Sequence, residues 1–530
     1  MKVSVVDKHE FALAQDQVEL STDVANKISR GFSRLDAEFV DPDLLSLEEA
    51  LKKQPGKKLG ALAVPLHDTR GARGKASTEV QNADNQAGCK PVEESVSYID
   101  IDAVDTEDGM VFYEAIRREA LPSRAKHQVA PGDILVSKVR PNRGAVTLLS
   151  RLSEGALASS GFTLVRVASP SDLRESPGTH EMPIAVEKPG DENGITKEFI
   201  FAFLKTKFGR DQLIRRNRGS MYPAVLSDDV FDVWIPQPSE DIESVVRSRV
   251  ERGLELWCEF YDLHSRAQKM LTEYLAPYGL PPDPLSGDRT AVDWTEVQSG
   301  DFFGSNGAQR FDAEFFRQGY REFEKRCLTI GDSFSLGEYF DLFPGSALAE
   351  GQGTTPYVKQ AVLTNVGVNW TALSEEQGSL GATAATVKSG DILLACTAHE
   401  VAYVGRKVDL VRDIPESVRG PVGCVPDVMI VRSKEEKPEG LYGSYVAAFL
   451  RHPAGLFQAQ RCIRGLRGGH VYRDDLARFV RVPLPPDDWL EGFEACSLKA
   501  EQARNEAKDQ MKSSFRQTEE FVRSLIVPTQ

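Results

Sequence analysis

The chain has 530 residues, enough for roughly three or four domains on a prior of 100–200 residues each. Its 41% hydrophobic and 27% charged residues are those of an ordinary globular protein, and no run of about 18 apolar residues could form a membrane span. A net charge of −15 excludes a uniformly basic nucleic-acid binder and leaves room only for local basic faces.

In chain order, residues 1–30 read as an N-terminal extension without the apolar segment and small-residue cleavage site of a secretion signal. The seven cysteines are dispersed, with no Cys-x-x-Cys, which argues against a disulfide framework or zinc site and fits a reducing cytoplasm. Residues 31–238 form a first globular unit, opened by "RLDAEFV" (34–40). Within it "PGDILVSKV" (131–139) and "GFTLVRV" (161–167) are strands, and "KEFIFAFLKTKF" (197–208) is a helix. "RRNRGSMYPAVLSDD" (215–229) and the strand "VWIPQP" (233–238) close the unit.

Residues 239–278 read as one long helix. Ile242, Val246, Val250, Gly253, Trp257, Phe260, His264, Ala267, Leu271 and Tyr274 recur at the spacing of a coiled-coil seam. A linker (279–300) follows, and then the pattern returns over 301–486. "RFDAEFF" (310–316), "SGDILLACT" (389–397), "PDVMIVR" (426–432), "YGSYVAAFLRHP" (442–453), "RCIRGLRGGHVYRDD" (461–475) and "VPLPP" (482–486) keep the order of the first unit. Residues 487–526 repeat the seam with Phe493, Cys496, Ala500, Ala503, Ala507, Met511, Phe515, Thr518, Phe521 and Leu525. The ordered markers indicate duplication. The expected class is α+β: two tandem α/β domains separated by two long helices that form an antiparallel coiled coil.

No phosphate-binding loop, dinucleotide fingerprint, nucleophile elbow or zinc-protease helix is present, and the eight histidines do not cluster. Asp427 followed by Glu435 and Lys437 leaves a trace of a metal-dependent nuclease, and Cys396 with His399 a trace of a nucleophile–base pair. Both are weak against the alternative of ordinary structural residues.

The polar loops after the "GDIL" strands say more. "SKVRPNRGA" (137–145) offers Lys138, Arg140, Asn142 and Arg143, and "CTAHEVAYVGR" (396–406) offers Thr397 and His399. Arginine and lysine suit phosphates and guanine edges, and asparagine suits adenine. Basic stretches add Arg215, Arg216 and Arg218 in the first unit, and Arg461, Arg464, Arg467 and His470 in the second. Asn217, Ser220, Met221 and Tyr222 against Ile463, Leu466, Arg467, Gly468 and His470 are where the two copies differ. Lys138, Arg140, Asn142, Arg143, Arg215, Arg216, Arg218, Tyr222, Thr397, His399, Arg461, Arg464, Arg467 and His470 are the candidate DNA contacts; no residue is a candidate for catalysis or metal binding.

The ordered, twice-repeated set resembles the specificity (S) subunit of type I restriction–modification systems over about residues 30–526. The resemblance rests on "RLDAEFVDP" and "RFDAEFF", "GDILVSKVRPNRG" and "SGDILLACTAHEVAYVGR", and "LSDDVFDVWIPQP" and "YRDDLARFVRVPLPP". It implies two target-recognition domains, each contacting half of a split double-stranded DNA target, with the helices as ruler and docking surface. It further implies a non-enzymatic cytoplasmic subunit without a cofactor of its own. Methyltransferase subunits would bring S-adenosylmethionine, and an ATP-driven nuclease-translocase could join them. Family members carry a Glu-Gln pair after the prolines before each long helix; here the segments read "PSEDIESVV" and "PPDDWLEGF". Two other readings stay open: a defence nuclease on a duplicated DNA-binding frame, and a protein-interaction scaffold.

Overall fold

An apolar seam at 3.5-residue spacing can be buried only against another helix. In the computed structural model, which describes residues 39, 41–64, 95–167, 195–218, 222–283, 310, 313–316, 318–438, 440–464 and 469–526, the two seams bury each other. Glu240–Leu275 and Asp487–Ile526 are unbroken helices of 36 and 40 residues, ~54 and ~60 Å long at ~1.5 Å per residue. They run antiparallel. Near one end Arg249 hydrogen-bonds Gln510 and Gln517; toward the other the rings of Tyr274 and Trp489 lie 4.9 Å apart. Small residues bring the backbones close: a Cβ on Gly253 would lie 2.9 Å from Met511 Cε and 3.3 Å from the Ala507 carbonyl oxygen.

Each end of this pair carries one copy of the repeat. The first comprises α1 (Pro42–Lys52), β1 (Gly56–Lys58), β2 (Ala63–Val64), β3 (Ser95–Ile99), β4 (Glu114–Arg117), β5 (Ala125–Gln128), β6 (Ile134–Ser137), β7 (Val146–Leu148), β8 (Leu157–Ser159), β9 (Phe162–Val167), α2 (Lys197–Lys205), α3 (Lys207–Arg215), α4 (Ser227–Phe231) and β10 (Trp234–Pro236). The first long helix is α5. The second copy comprises α6 (Gln318–Ile330), β11 (Ser333–Ser335), β12 (Phe340–Pro344), β13 (Ala349–Val358), β14 (Ser374–Ser379), β15 (Ile392–Ala395), β16 (Thr397–Ala398), β17 (Val408–Leu410), β18 (Gly423–Cys424), β19 (Val428–Ser433), α7 (Gly443–Arg451), α8 (Pro453–Arg461), β20 (Gly469–His470), α9 (Arg473–Phe479) and β21 (Arg481–Pro483), followed by the second long helix, α10.

Three sheets of the first copy have counterparts in the second, which adds the two-stranded β16-β20. The order β2-β9-β6-β7 in the first copy corresponds to β12-β19-β15-β17 in the second, and the ribbon β1-β10 to β11-β21. A second sheet, β4-β3-β8-β5, corresponds to the three-stranded β14-β13-β18. The "GDIL" strands β6 and β15 sit inside their sheets and are buried at every position, which is why they read as continuous apolar runs.

The "GDIL" aspartates set the sheet geometry. Asp133 accepts from the Ala130 amide at 2.8 Å and takes two bonds of 2.6 Å from Arg166. Asp391 does the same with the Lys388 amide and Arg432, each bond at 2.7 Å.

α2 is apolar on every side because it is buried on every side: Phe199, Ile200, Phe201, Ala202, Phe203 and Leu204 are at most 1% exposed. It ends at Thr206, which caps α3 by accepting from the Gly209 amide. In the second copy His452 caps α8 through Nδ1, with Pro453 at the first helical position. Burial lowers the His452 pKa, so its ring stays a neutral acceptor.

Gly209 and Gly455 allow the second helix of each pair to abut the first. A Cβ would lie 2.5 Å from the Phe203 carbonyl oxygen and 2.2 Å from that of Phe449. Gly209→Ala and Gly455→Ala are each expected to lose about 2–3 kcal/mol, measured by urea unfolding. A loss below 0.5 kcal/mol at both, taken as roughly the scatter of neutral surface changes, would mean the helices can separate freely.

Candidate nucleic-acid interface

In the first copy the chain leaves β6 and is stitched at once to the segment after α3. Val139 bridges Ala224, the Arg140 amide donates to Pro223 at 2.7 Å, and the Val225 amide donates to Lys138 at 2.9 Å. Arg218 and Ala224 exchange both main-chain bonds, at 2.7 and 3.1 Å. Arg140 enters the 3-10 turn Pro141–Arg143 at φ 50°, and Gly144 leaves it at φ 69°. These bonds bring Lys138, Arg140, Asn142, Arg143, Arg218 and Tyr222 to one edge. Asn142, Arg143 and Arg218 are exposed, and Tyr222 is 70% exposed. Burial lowers the pKa of the half-buried Lys138.

The second copy builds the same edge differently. β16 pairs with β20, placing Thr397 opposite His470, with Thr397 Oγ1 hydrogen-bonded to His470 Nδ1. The Val471 amide donates to Cys396 at 2.9 Å, and Arg464 bridges His470. His399 is exposed on the loop that follows. Arg467 and its neighbours 465–468 lie outside the described residues, as do residues 219–221.

The repeated Arg–Asp pairs are part of this frame. Arg218 binds Asp229 at 3.0 Å, and its counterpart Arg464 binds Asp475 at 2.6 and 2.7 Å. Arg310, from "RFDAEFF", also reaches Asp475 at 3.3 Å and donates to the Cys462 and Ile463 carbonyls.

Three candidate contacts have a different place. Arg215, Arg216 and Arg461 are only 5%, 6% and 7% exposed, so they cannot meet a phosphate while the domain is folded. Arg215 donates to the Phe39 carbonyl at 3.1 Å and to Glu48 at 2.6 Å, with its guanidinium 4.3 Å from the Phe39 ring. Arg216 takes the same carboxylate at 2.9 and 3.0 Å. Arg461 repeats the arrangement: it donates to the Phe315 carbonyl at 2.7 Å and to Glu324 at 2.6 Å, 4.1 Å from the Phe315 ring. These arginines lock the start of each copy onto its helical core. The signal was in the sequence: Phe39 and Phe315, and Glu48 and Glu324, stand at the same spacing as the two "DAEF" motifs.

Tyr472 is an addition the motifs did not single out. It is 51% exposed, its ring lies 4.5 Å from His470, and the Arg464 guanidinium is 5.9 Å away. Its signal is the aromatic beside a basic residue within a stretch where the copies differ.

The nuclease trace is spread out. Asp427 and Glu435 stand at opposite ends of β19, at least ~20 Å of strand apart at ~3.3 Å per residue, and Lys437 Nζ donates to the Leu441 carbonyl. Cys396 is 0% exposed, and burial pushes its thiol up to about 11, so it stays protonated at neutral pH. Among the described residues no three His, Cys, Asp or Glu side chains gather as a metal site would need, and no helix is long and apolar enough to cross a membrane.

No protein-family model and no curated protein matches this chain. Among solved structures it is similar to the HsdS subunit from Thermoanaerobacter tengcongensis, with 17% identity over 89% of this chain and 95% of that one, at a TM-score of 0.27. A structure described as underlying complex assembly and conformational transition of the type I R-M system gives 18% identity over 89% and 98%, at a TM-score of 0.28. The type I restriction-modification S subunit from M. genitalium gives 11% identity over 83% and 91%, at a TM-score of 0.31. These three solved chains are thus named as S subunits or as belonging to a type I restriction–modification system.

Proposed function

We propose that this chain is the DNA sequence-specificity subunit of a type I-like restriction–modification complex, reading a bipartite double-stranded target with one copy per half. One observation carries this reading: two copies of one frame, at the two ends of a rigid helix pair, present the same edge with different side chains. Lys138, Arg140, Asn142, Arg143, Arg218 and Tyr222 form that edge in one copy; Thr397, His399, Arg464, His470 and Tyr472 supply it in the other, and Arg467 is a further candidate by sequence.

The chemistry suits DNA. Cations position against phosphate, and the differing polar and aromatic groups discriminate bases. The long helices suit a protein partner instead, because Glu240, Asp241, Glu251, Glu255 and Glu259 lie exposed along α5 and would repel DNA. Methyltransferase subunits carrying S-adenosylmethionine are the partners this reading assigns to that surface, with an ATP-dependent restriction subunit as a further partner. The chain itself takes no catalytic role.

The test is to exchange residues 31–238 for those of a relative and sequence the duplexes enriched from a randomised 40-bp pool. One half of the enriched motif should change and the other should stay. A change in both halves, or in neither, would sink the two-reader model.

A further inference from the structure

The "FLK" and "FLR" that end α2 and α7 place a cation at equivalent positions, Lys205 and Arg451, and both turn inward. Lys205 Nζ donates to the Gly144 carbonyl at 3.1 Å and to the Thr106 carbonyl at 2.8 Å. Gly144 closes the loop that carries Lys138, Arg140, Asn142 and Arg143. Arg451 Nη1 donates to the Val408 carbonyl at 2.9 Å, where the chain returns from the loop carrying Thr397 and His399.

Each cation also reaches a second repeated loop, "AVDTEDGM" (103–110) or "AVLTNVGV" (361–368). The glycines Gly109 and Gly367 share a positive φ, at 76° and 129°. Lys205 binds its loop directly through Thr106. Arg451 does so through Asp409, 3.8 Å away, which accepts from the amides of Thr364, Asn365 and Gly367 at 2.6–3.0 Å.

These second loops are the ones that rest on the long helices. Trp257 Nε1 donates to the Val111 carbonyl at 3.1 Å, and Lys508 stands 3.3 and 3.2 Å from the carboxylates of Asp105 and Asp108. In the second copy Arg504 donates to the Val368 carbonyl at 2.8 Å. A path of polar contacts, the longest of them the 3.8 Å pair of Arg451 and Asp409, therefore runs from each loop, through one inward-turned cation, to the helix pair.

We infer that Lys205 and Arg451 are positioning residues, each fixing the exposed loop of its own copy relative to the helix pair and so setting where that copy reads. This rests on the DNA-reading assignment above. The two copies reach one solution with different cations, so the shared requirement is a buried positive donor at this point. Burial alone would drive the lysine neutral and brings its pKa down to about 8, while Asp108 and Asp105 oppose that shift. The groups facing it are Asp105, Asp108, Glu107, Arg210 and the Phe515 ring.

The test uses the full chain with Lys205→Met, Arg451→Met and Lys205→Arg. Amide exchange at 140–147 is expected to rise by at least ~10-fold in Lys205→Met, with no change at 395–410, and the reverse in Arg451→Met. Sequencing of duplexes enriched from the randomised pool should show one half of the motif degraded in Lys205→Met and the other in Arg451→Met. Lys205→Arg should restore both readouts, since the second copy already uses arginine there. Unchanged loop exchange in Lys205→Met would overturn the inference. So would a general rise in exchange with both half-motifs lost, which would mark a merely structural residue. A native chain that enriches no motif would sink the DNA reading, whereas raised exchange confined to one loop would still support the strut.

Discussion

Glu48→Gln should lower the unfolding free energy of the first copy by about 3–5 kcal/mol, the usual cost of removing one partner from a buried ion pair. Glu48 is 3% exposed and lies between Arg215 and Arg216, with Lys52 a turn along α1. Gln keeps the shape but removes the Glu48 charge from between two buried guanidinium groups, and its amide nitrogen turns a third donor toward them. Glu324→Gln should cost less, about 1–2 kcal/mol, because Glu324 is 33% exposed and serves one arginine. Urea unfolding of both variants checks the difference, and equal losses would contradict it.

The same carboxylate makes an acid-sensitive joint. Burial pushes its pKa up, but Arg216, Lys52 and Arg215 pull harder and hold it at about 2. A folded pKa below the unfolded value of 4.5 means the contribution is fully present above about pH 4.5 and is lost as pH falls toward 2. The pH-dependent part is on the order of 3 kcal/mol, at about 1.4 kcal/mol per pH unit. Unfolding curves between pH 2 and 6 should therefore flatten in Glu48→Gln; an unchanged acid limb would show that other carboxylates dominate.

Replacing Lys138 by Gln, Arg140 by Gly and Arg143 by Gln together should weaken DNA binding at 0.1 M salt by about 100-fold or more. Each cation that neutralises a phosphate adds about 0.9 to the steepness of log affinity against log salt, so the slope should fall by up to ~3. Glycine is chosen at 140 because φ there is 50°, where removing the side chain relieves the backbone. The three residues hold no core together, so melting temperature should stay within about 2 °C, as for surface substitutions of ±0.5 kcal/mol. Fluorescence anisotropy across a salt series measures both numbers. Unchanged affinity and slope would remove this loop from the interface.

The sequence disclosed whatever depends on neighbours along the chain. The seam is a local period, and from Val246 to Leu271 and from Phe493 to Thr518 most of its positions are buried. The "GDIL" strands, the helices α2 and α7, and the order of the repeated markers are equally local patterns. The loops Lys138–Arg143 and Thr397–His399 were legible because each follows such a strand.

What local pattern could not disclose is which cations face water. Arg215 and Arg218 stand three residues apart with the same charge, yet one is buried against Phe39 and Glu48 and the other is exposed beside Asp229. Lys205, a cation at the end of the helix α2, likewise donates inward to Gly144 and Thr106. Charge is a property of a side chain, whereas burial and pairing depend on residues that the fold brings together: Arg215 meets partners 176 and 167 positions away, and Lys205 partners 61 and 99 away. Duplication, helix pairing and the paired loops were therefore determined by the sequence alone; the division of its arginines and lysines between frame and surface was decided by tertiary structure, because a buried cation persists only where the fold supplies its carboxylate or carbonyl.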